Sequence, residues 1–240
     1  MSVLVLTIII ITLAFFGESI FGFGGGLISI PLLSIVLGVR DAVTLVLIFQ
    51  LFMGLLLFGC YKDVQWKLAV PMSIGLIIGT IIGTLMLASF SDIFLKYFLA
   101  VSIFVFLIKM LFFKGFSFGT HKQRQYGLLA GLVGGWFQGI IGTGGPVFTM
   151  YLAATAPAKA AFRATLIYLF FATSVVRIGV SIPKGLISQN IINLALPTIP
   201  FFLIAITIGH FTHKKIGEKY YQYSVWAILF FSAVSMIIKR

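Results

Sequence analysis

Two glycine clusters, Gly22-Phe23-Gly24-Gly25-Gly26 and Gly142-Thr143-Gly144-Gly145-Pro146, each interrupt an otherwise apolar stretch, about half a chain apart. A helix in lipid satisfies its own backbone groups. A break at that depth therefore survives only where protein or a water-lined cavity surrounds it. Any fold for this chain must bury both clusters and bring partners to their freed N–H and C=O groups.

The surrounding sequence makes the lipid setting plain. Of its 240 residues 60% are hydrophobic and only 9% are charged, against about 25% charged in a soluble domain. Long runs without Asp, Glu, Lys or Arg cover Ala42–Tyr61, Leu68–Ser91, Gln125–Ala158, Gly185–His213 and Tyr220–Ile238. Runs of about 18 such residues read as membrane spans. The net charge of +12 does not point to nucleic acid. The basic residues sit between apolar runs, where the positive-inside rule places them, and form no basic face interleaved with aromatics. The abundant Phe and Trp residues, Trp136 among them, read as lipid-facing and interfacial. Cys60 is the sole cysteine, which excludes an intrachain disulfide and a cysteine metal cluster. Residues 1–16 lack an early basic residue and a small-residue cleavage site, and read as a retained helix. Nothing calls for a cofactor or a metal.

Apolar segments fall at about 2–20, 26–38, 42–60, 67–88, 93–112, 126–141, 146–157, 161–180, 190–211 and 219–238. The expected fold class is all-α: a polytopic transmembrane bundle of about 8–10 membrane segments. The chain also repeats itself. Gly22, Gly24 and Gly25 match Gly142, Gly144 and Gly145 at an offset of 120, and Thr44-Leu45 matches Thr165-Leu166 at 121. Pro71, Gly83, Asp92 and Tyr97 match Pro197, Gly209, Glu218 and Tyr223 at 126. The reading is a first repeat over 1–112, a cytoplasmic linker over 113–125 and a second repeat over 126–240.

The breaks are either hairpins or kinks in single spans. With hairpins the halves are inverted and both termini lie outside. Inside loops then hold 11 basic residues (Lys62, Lys67, Lys109, Lys114, Lys122, Arg124, Lys159, Arg163, Lys214, Lys215 and Lys219), against 5 outside (Arg40, Lys96, Lys184, Lys239 and Arg240). With kinks the halves are parallel and the tally shrinks to 9 against 7. The charge bias favours inverted repeats, each beginning with a glycine-broken hairpin. Paired interruptions in corresponding halves are a sequence pointer to a transporter's binding site.

Glycine permits a positive φ and lets a ligand approach the backbone. The helices restarting near Leu27 and Val147 would present N–H donors and a partial positive charge, an anion-binding arrangement. Gly22, Gly24, Gly25 and Gly26, with Gly142, Thr143, Gly144 and Gly145, are the candidate substrate cradle. The alternative is close helix packing, the role read for Gly75, Gly79, Gly83, Gly131 and Gly134. Neither cluster continues as a nucleotide phosphate loop.

Five side chains are further candidates. Glu18 lies four residues before the first cluster, as a proton-coupling carboxylate, or as a residue near the membrane surface or paired with a basic group. Gln138 matches it at offset 120, as an anion ligand or an interhelical hydrogen bond. Thr143 would offer its hydroxyl to an anion or cap a helix. Arg163 and Arg177 are candidate guanidinium ligands for an oxoanion, against a positive-inside flank for the first and snorkelling for the second. Gln50 and His210 are weaker candidates.

The segments GFGGGLISIPLL (Gly22–Leu33) and GGWFQGIIGTGGPVFTMYL (Gly134–Leu152) resemble the two glycine motifs of the sulfite exporter TauE/SafE family. The step Phe162-Arg163-Ala164-Thr165 is similar to the family's pattern, and the resemblance covers nearly the whole chain. Two departures stand out: Pro146 has Gly26 opposite it, and Arg163 has no clear basic counterpart beyond Arg40. The resemblance implies transport of sulfite or organosulfonates, generally outward, across the bacterial cytoplasmic membrane. The partners it implies are a small anion and the bilayer. An anion channel, or a scaffold for another protein, is an alternative. An intramembrane enzyme is another, although no zinc-protease or serine-hydrolase motif is present.

Overall fold

The structure is a computed structural model describing residues 2–112, 123–155 and 158–212. Among these residues it is helical throughout, without strands. The first part runs α1 (Val3–Phe21), α2 (Gly25–Leu37), α3 (Val39–Leu56), a 3-10 turn (Phe58–Asp63), α4 (Trp66–Ser89) and α5 (Asp92–Phe112). The second runs α6 (Gln123–Ile141), α7 (Gly145–Ala154), α8 (Lys159–Ser181) and α9 (Gln189–Thr212). Each apolar segment expected within the described residues is a helix, and α6 reaches back to Gln123. The segment expected at 219–238 and most of the expected linker lie outside the described residues.

Five of these helices are long and apolar enough to cross a membrane: α1, α3, α4, α8 and α9. Their outward faces are apolar, as lipid requires. Helix α4 exposes Ile74, Ile77, Ile78, Ile81 and Ile82, and α9 exposes Leu196, Phe201, Leu203 and Ile204. This is a polytopic helical membrane protein. The arms α2, with 13 residues, and α7, with 10 residues, rise only about 20 and 15 Å at 1.5 Å per residue. Neither length spans a hydrocarbon core of about 30 Å.

The second break is a hairpin. Tyr151 donates its hydroxyl to the Gln123 carbonyl at 2.8 Å, so the far end of α7 lies beside the start of α6. Between these points a Cβ on Gly134 would meet the Phe148 ring at 2.3 Å, and one on Gly144 would meet the Gly134 carbonyl oxygen at 2.2 Å. Helix α7 therefore folds back along α6. Helices α1 and α2 likewise pack on each other.

The helix pairs repeat in a crossed fashion. The fourth helix of the first part packs on α6, and α9 packs on α1. In the first pair, Gly75, Gly79 and Gly83 lie against the backbones of Leu128, Leu132 and Trp136 in that order, so α4 and α6 run the same way. A Cβ on Gly75 or Gly79 would stand 2.0 Å from a carbonyl oxygen of α6. Small residues are what allow two membrane helices to approach so closely. In the second pair, Phe15 meets Phe202 with ring centroids 5.2 Å apart, and Ser19 donates its hydroxyl to the Ile206 carbonyl at 2.8 Å. Helices α1 and α9 also run the same way. The two contacts match residue by residue: Gly83 meets Gly139, and Gly209 meets Ser19, at the offsets of 126 and 120 found in the sequence. Helices α3 and α8 run in opposite directions, with Gly54 against Phe171 and the Arg177 guanidinium on the Val43 carbonyl.

Candidate anion site at the paired helix breaks

Each break begins as a left-handed helix cap. Gly22 takes φ 83° and donates its N–H to the Glu18 carbonyl at 2.7 Å. Gly142 takes φ 67° and donates to the Gln138 carbonyl at 3.0 Å. A side chain at such φ is strained, and glycine removes the penalty. Helix α2 then starts from Gly24 at φ 109°. Helix α7 starts from Gly144 at an ordinary φ of −70°. There glycine is required instead by the Gly134 carbonyl pressed against it.

The breaks meet inside the protein. A Cβ on Gly26 would fall 2.6 Å from the Gly142 carbonyl oxygen, and one on Gly142 would fall 2.3 Å from the Ile30 methyl. Gly22, Gly24, Gly25 and Gly26 are buried except for the glycine-flanking Phe23, and Gly142, Thr143, Gly144 and Gly145 are all buried. The unwound backbone of each half thus faces the other, away from lipid.

At both breaks a side chain of the preceding helix lies over the start of the next one. The Glu18 carboxyl group lies against Gly25, leaving no room for a Cβ there. Glu18 is 1% exposed, and its Oε2 makes no well-formed hydrogen bond. Gln138 does the corresponding thing in the other half. Its Oε1 accepts from the Gly144 N–H at 2.7 Å, and its Nε2 donates to Gln50 Oε1 at 2.9 Å. The pair at offset 120 are therefore structural equivalents, each laid over the break that follows it. Sequence reasoning treated Gln50 as weak, and nothing in its surroundings along the chain signalled that it reaches Gln138.

The two arginines separate. Arg163 reaches across to the first break, where Nε donates to the Ser19 carbonyl at 3.0 Å and Nη2 donates to the same oxygen. Nη2 also lies 3.4 Å from His210 Nδ1, and Nη1 lies 3.5 Å from Cys60 Sγ. This is a cation at a helix C-terminus, satisfying a carbonyl that has no partner within α1. The Arg163 Cγ would also lie 3.1 Å from a Cβ on Gly22, so the arginine packs on the break itself.

Arg177 is fully buried, and only Nη2 is engaged, on the Val43 carbonyl at 3.2 Å. Its Nε and Nη1 are buried with no partner among the described residues. Val43 in turn lies against Gly142, with its Cγ1 3.7 Å from the Gly142 Cβ position. Thr143 Oγ1 is likewise buried and unpartnered. Thr143 thus places an unpaired hydroxyl in the second break and Glu18 an unpaired oxygen before the first, while Arg177 is joined to the second break through Val43. A guanidinium placed at membrane depth without a carboxylate costs about 3 kcal/mol or more, so such residues mark ion and substrate pathways. No group of three His, Cys, Asp or Glu residues fit to hold a metal occurs among the described residues.

Neither the curated proteins nor the solved structures contain a match to this chain. Among family models, that described as sulfite exporter TauE/SafE matches residues 7–236. The match spans both glycine breaks and, apart from the first residues of α1, every helix described above. A polytopic helical chain with paired buried breaks is what a membrane transporter of that kind requires, and this protein belongs to the sulfite exporter TauE/SafE family.

Proposed function

We propose that the chain is a secondary exporter of one small sulfur oxoanion or organosulfonate, working in a bacterial cytoplasmic membrane. Family membership supports an anion of this class. The observations that carry the site are the fully buried Arg177, whose Nε and Nη1 lack partners among the described residues and which reaches the second break only through Val43, and the unpaired Thr143 hydroxyl in that break. An oxoanion supplies the acceptors these donors lack, and a guanidinium fork suits its geometry. Gly142, Gly144 and Gly145 form the backbone wall beside these donors, with the N–H groups of Gly142 and Gly144 held by Gln138. Arg163 serves this reading indirectly by holding the end of α1, and Gly22, Gly24, Gly25 and Gly26 form the facing wall.

Two inverted halves, over 1–112 and 126–240, would rock about this site to expose it alternately to the two sides. The opposed directions of α3 and α8, with the matched α1–α9 and α4–α6 contacts, support that inversion. The side bearing Lys62, Lys67 and Arg163 would face the cytoplasm by the charge bias.

The test is flux of labelled sulfite, with a panel of sulfonates, through proteoliposomes. Saturable flux well above empty vesicles is expected. Absence of flux for every anion overturns the transport reading, and fast flux that never saturates replaces it with a channel.

A further inference from the structure

Helices α4 and α6 run the same way, so their N-terminal ends reach one face of the membrane side by side. Between them opens a cavity of about 500 Å³, within the range of about 300–1,000 Å³ that small-ligand sites occupy. It lies at the start of α6, whereas the second break follows the end of that helix. Lys67 and Arg124 line it, one from each helix, and no acidic side chain does. Neither cation is paired with an acid among the described residues. The helix ends add partial positive charge, and Gln65 places no side-chain cap on the start of α4. Beyond the cations the wall turns apolar. Val70 and Ile74 form it, and Ile74 lies about 10 Å along α4 from Lys67 at 1.5 Å per residue. They are 52% and 47% exposed, on the same lipid-facing side as Ile77, Ile78 and Ile81. Trp66 borders the cavity, half exposed, with its ring 5.0 Å from that of Tyr168. Such amphipathic rings anchor a helix at headgroup level. The cavity thus joins two cations at one end to lipid-facing aliphatic side chains at the other.

We infer that this cavity holds the headgroup of one anionic phospholipid. The phosphate sits between Lys67 and Arg124, where a guanidinium fork suits its oxygens, and an acyl chain runs along α4 over Val70 and Ile74. A soluble phosphate would satisfy the cations alone and leave the aliphatic wall without a role, so the bilayer is the source that fits. Basic pockets between transmembrane helices on the cytoplasmic side are a general form of anionic-lipid site, and the charge bias puts the starts of α4 and α6 on that side. Lys67 and Arg124 belong to different halves of the chain, so the lipid ties one half to the other at one face of the membrane.

The probe is dioleoylphosphatidylglycerol, added to the purified, delipidated full chain in a neutral detergent, with retention read by native mass spectrometry. Dioleoylphosphatidylethanolamine, with the same acyl chains and no net charge, is the comparison. One phosphatidylglycerol is expected to be retained about tenfold more tightly than phosphatidylethanolamine. Lys67→Gln and Arg124→Gln should each weaken its retention about tenfold, as loss of a charged hydrogen-bond donor implies. Lys62→Gln removes an exposed lysine that precedes α4 and does not line the cavity, and should leave retention unchanged. Lys67 and Arg124 are exposed, so their variants should keep the fold, which unfolding temperatures without added lipid check. Glycerol phosphate, a headgroup without tails, should fail to displace the lipid even in large excess. Equal retention of the two lipids, or equal weakening by Lys62→Gln, would overturn the site in favour of diffuse attraction to a basic face. Displacement by glycerol phosphate at the lipid's own concentration would overturn the lipid assignment and leave a soluble-phosphate site. None of these outcomes depends on sulfite flux, so the transport proposal stands or falls separately.

Discussion

The two helix breaks share one backbone plan and differ in what surrounds it. Each ends a 19-residue helix on a left-handed glycine. The first break is closed: Glu18 covers the amides, and Arg163 and His210 cluster at the carbonyl end. The second break is covered by the neutral Gln138 and holds Thr143, whose hydroxyl has no partner among the described residues. Arg177, linked to that break through Val43, has two further donors without one. Matching positions thus carry an acid at one break and a neutral amide at the other. On the transport proposal, the shared backbone plan would serve alternating access, and the differing side chains would set which half receives the ligand.

The strongest way to break this comparison is Arg177→Met. If the unpaired guanidinium exists for an anion, removing it abolishes sulfite flux, by about 100-fold or more, as loss of a charged ligand group worth roughly 3 kcal/mol implies. The same change should stabilise the protein by about 3 kcal/mol, because an uncompensated charge leaves the membrane interior and a side chain of similar length replaces it. Flux and thermal unfolding in detergent, measured on one preparation, separate the two outcomes. A variant that is both less stable and proportionately less active would make Arg177 a structural strut instead.

The glycines offer a second, smaller contrast, because Gly24 and Gly144 are needed for different reasons. Gly24 is held at φ 109°, which costs a side-chain-bearing residue about 1–2 kcal/mol. Gly144 has an ordinary φ but no room, with the Gly134 carbonyl oxygen 2.2 Å from its Cβ position. Alanine should destabilise at both places, by about 2 kcal/mol at Gly144 through overpacking against backbone and somewhat less at Gly24. Asparagine discriminates them, since it tolerates the left-handed region. Unfolding temperatures should show Gly24→Asn recovering much of the loss and Gly144→Asn making it worse. Equal responses would mean that the breaks use glycine in the same way.

Much of this architecture was legible along the chain. The apolar runs placed the helices to within a few residues, since hydropathy and length alone dictate a span in lipid. The clustered glycines located both breaks, and the charge tally favoured hairpins, as found directly for α6 and α7. What the chain could not disclose is which helices meet. The Gly75, Gly79 and Gly83 stripe declared a close contact, but not that its partner is the backbone of Leu128, Leu132 and Trp136. Likewise the sequence offers Arg163 as an oxoanion ligand or a positive-inside flank, whereas folding carries it 144 residues in sequence to the Ser19 carbonyl. The restarting amides were read as open to a ligand. Only tertiary structure reveals that Glu18 and Gln138 lie over them, although their shared offset of 120 was the signal that they do the same thing.

The smallest expected effect sharpens the contrast most, because it leaves shape nearly untouched. Thr143 is 1% exposed, and its hydroxyl has no partner among the described residues. Thr143→Val keeps the branched outline and deletes only that group. A buried hydroxyl without a hydrogen bond carries a desolvation cost of about 1–3 kcal/mol, so the valine variant should unfold at the same or a higher temperature. If the hydroxyl donates to the anion, its loss removes one hydrogen bond to a charged group, worth about 1.5 kcal/mol. That is about a tenfold rise in the sulfite concentration for half-maximal flux, with little change in maximal rate if the bond is equally strong throughout the cycle. Thr143→Ser, which restores the donor, should return the half-saturation value close to that of the natural chain. The first break holds Gly22 and Phe23 where the second holds Gly142 and Thr143, and so offers no hydroxyl of its own. A valine variant with unchanged half-saturation would therefore detach the hydroxyl from anion binding and leave Arg177 as the side chain that distinguishes the receiving break.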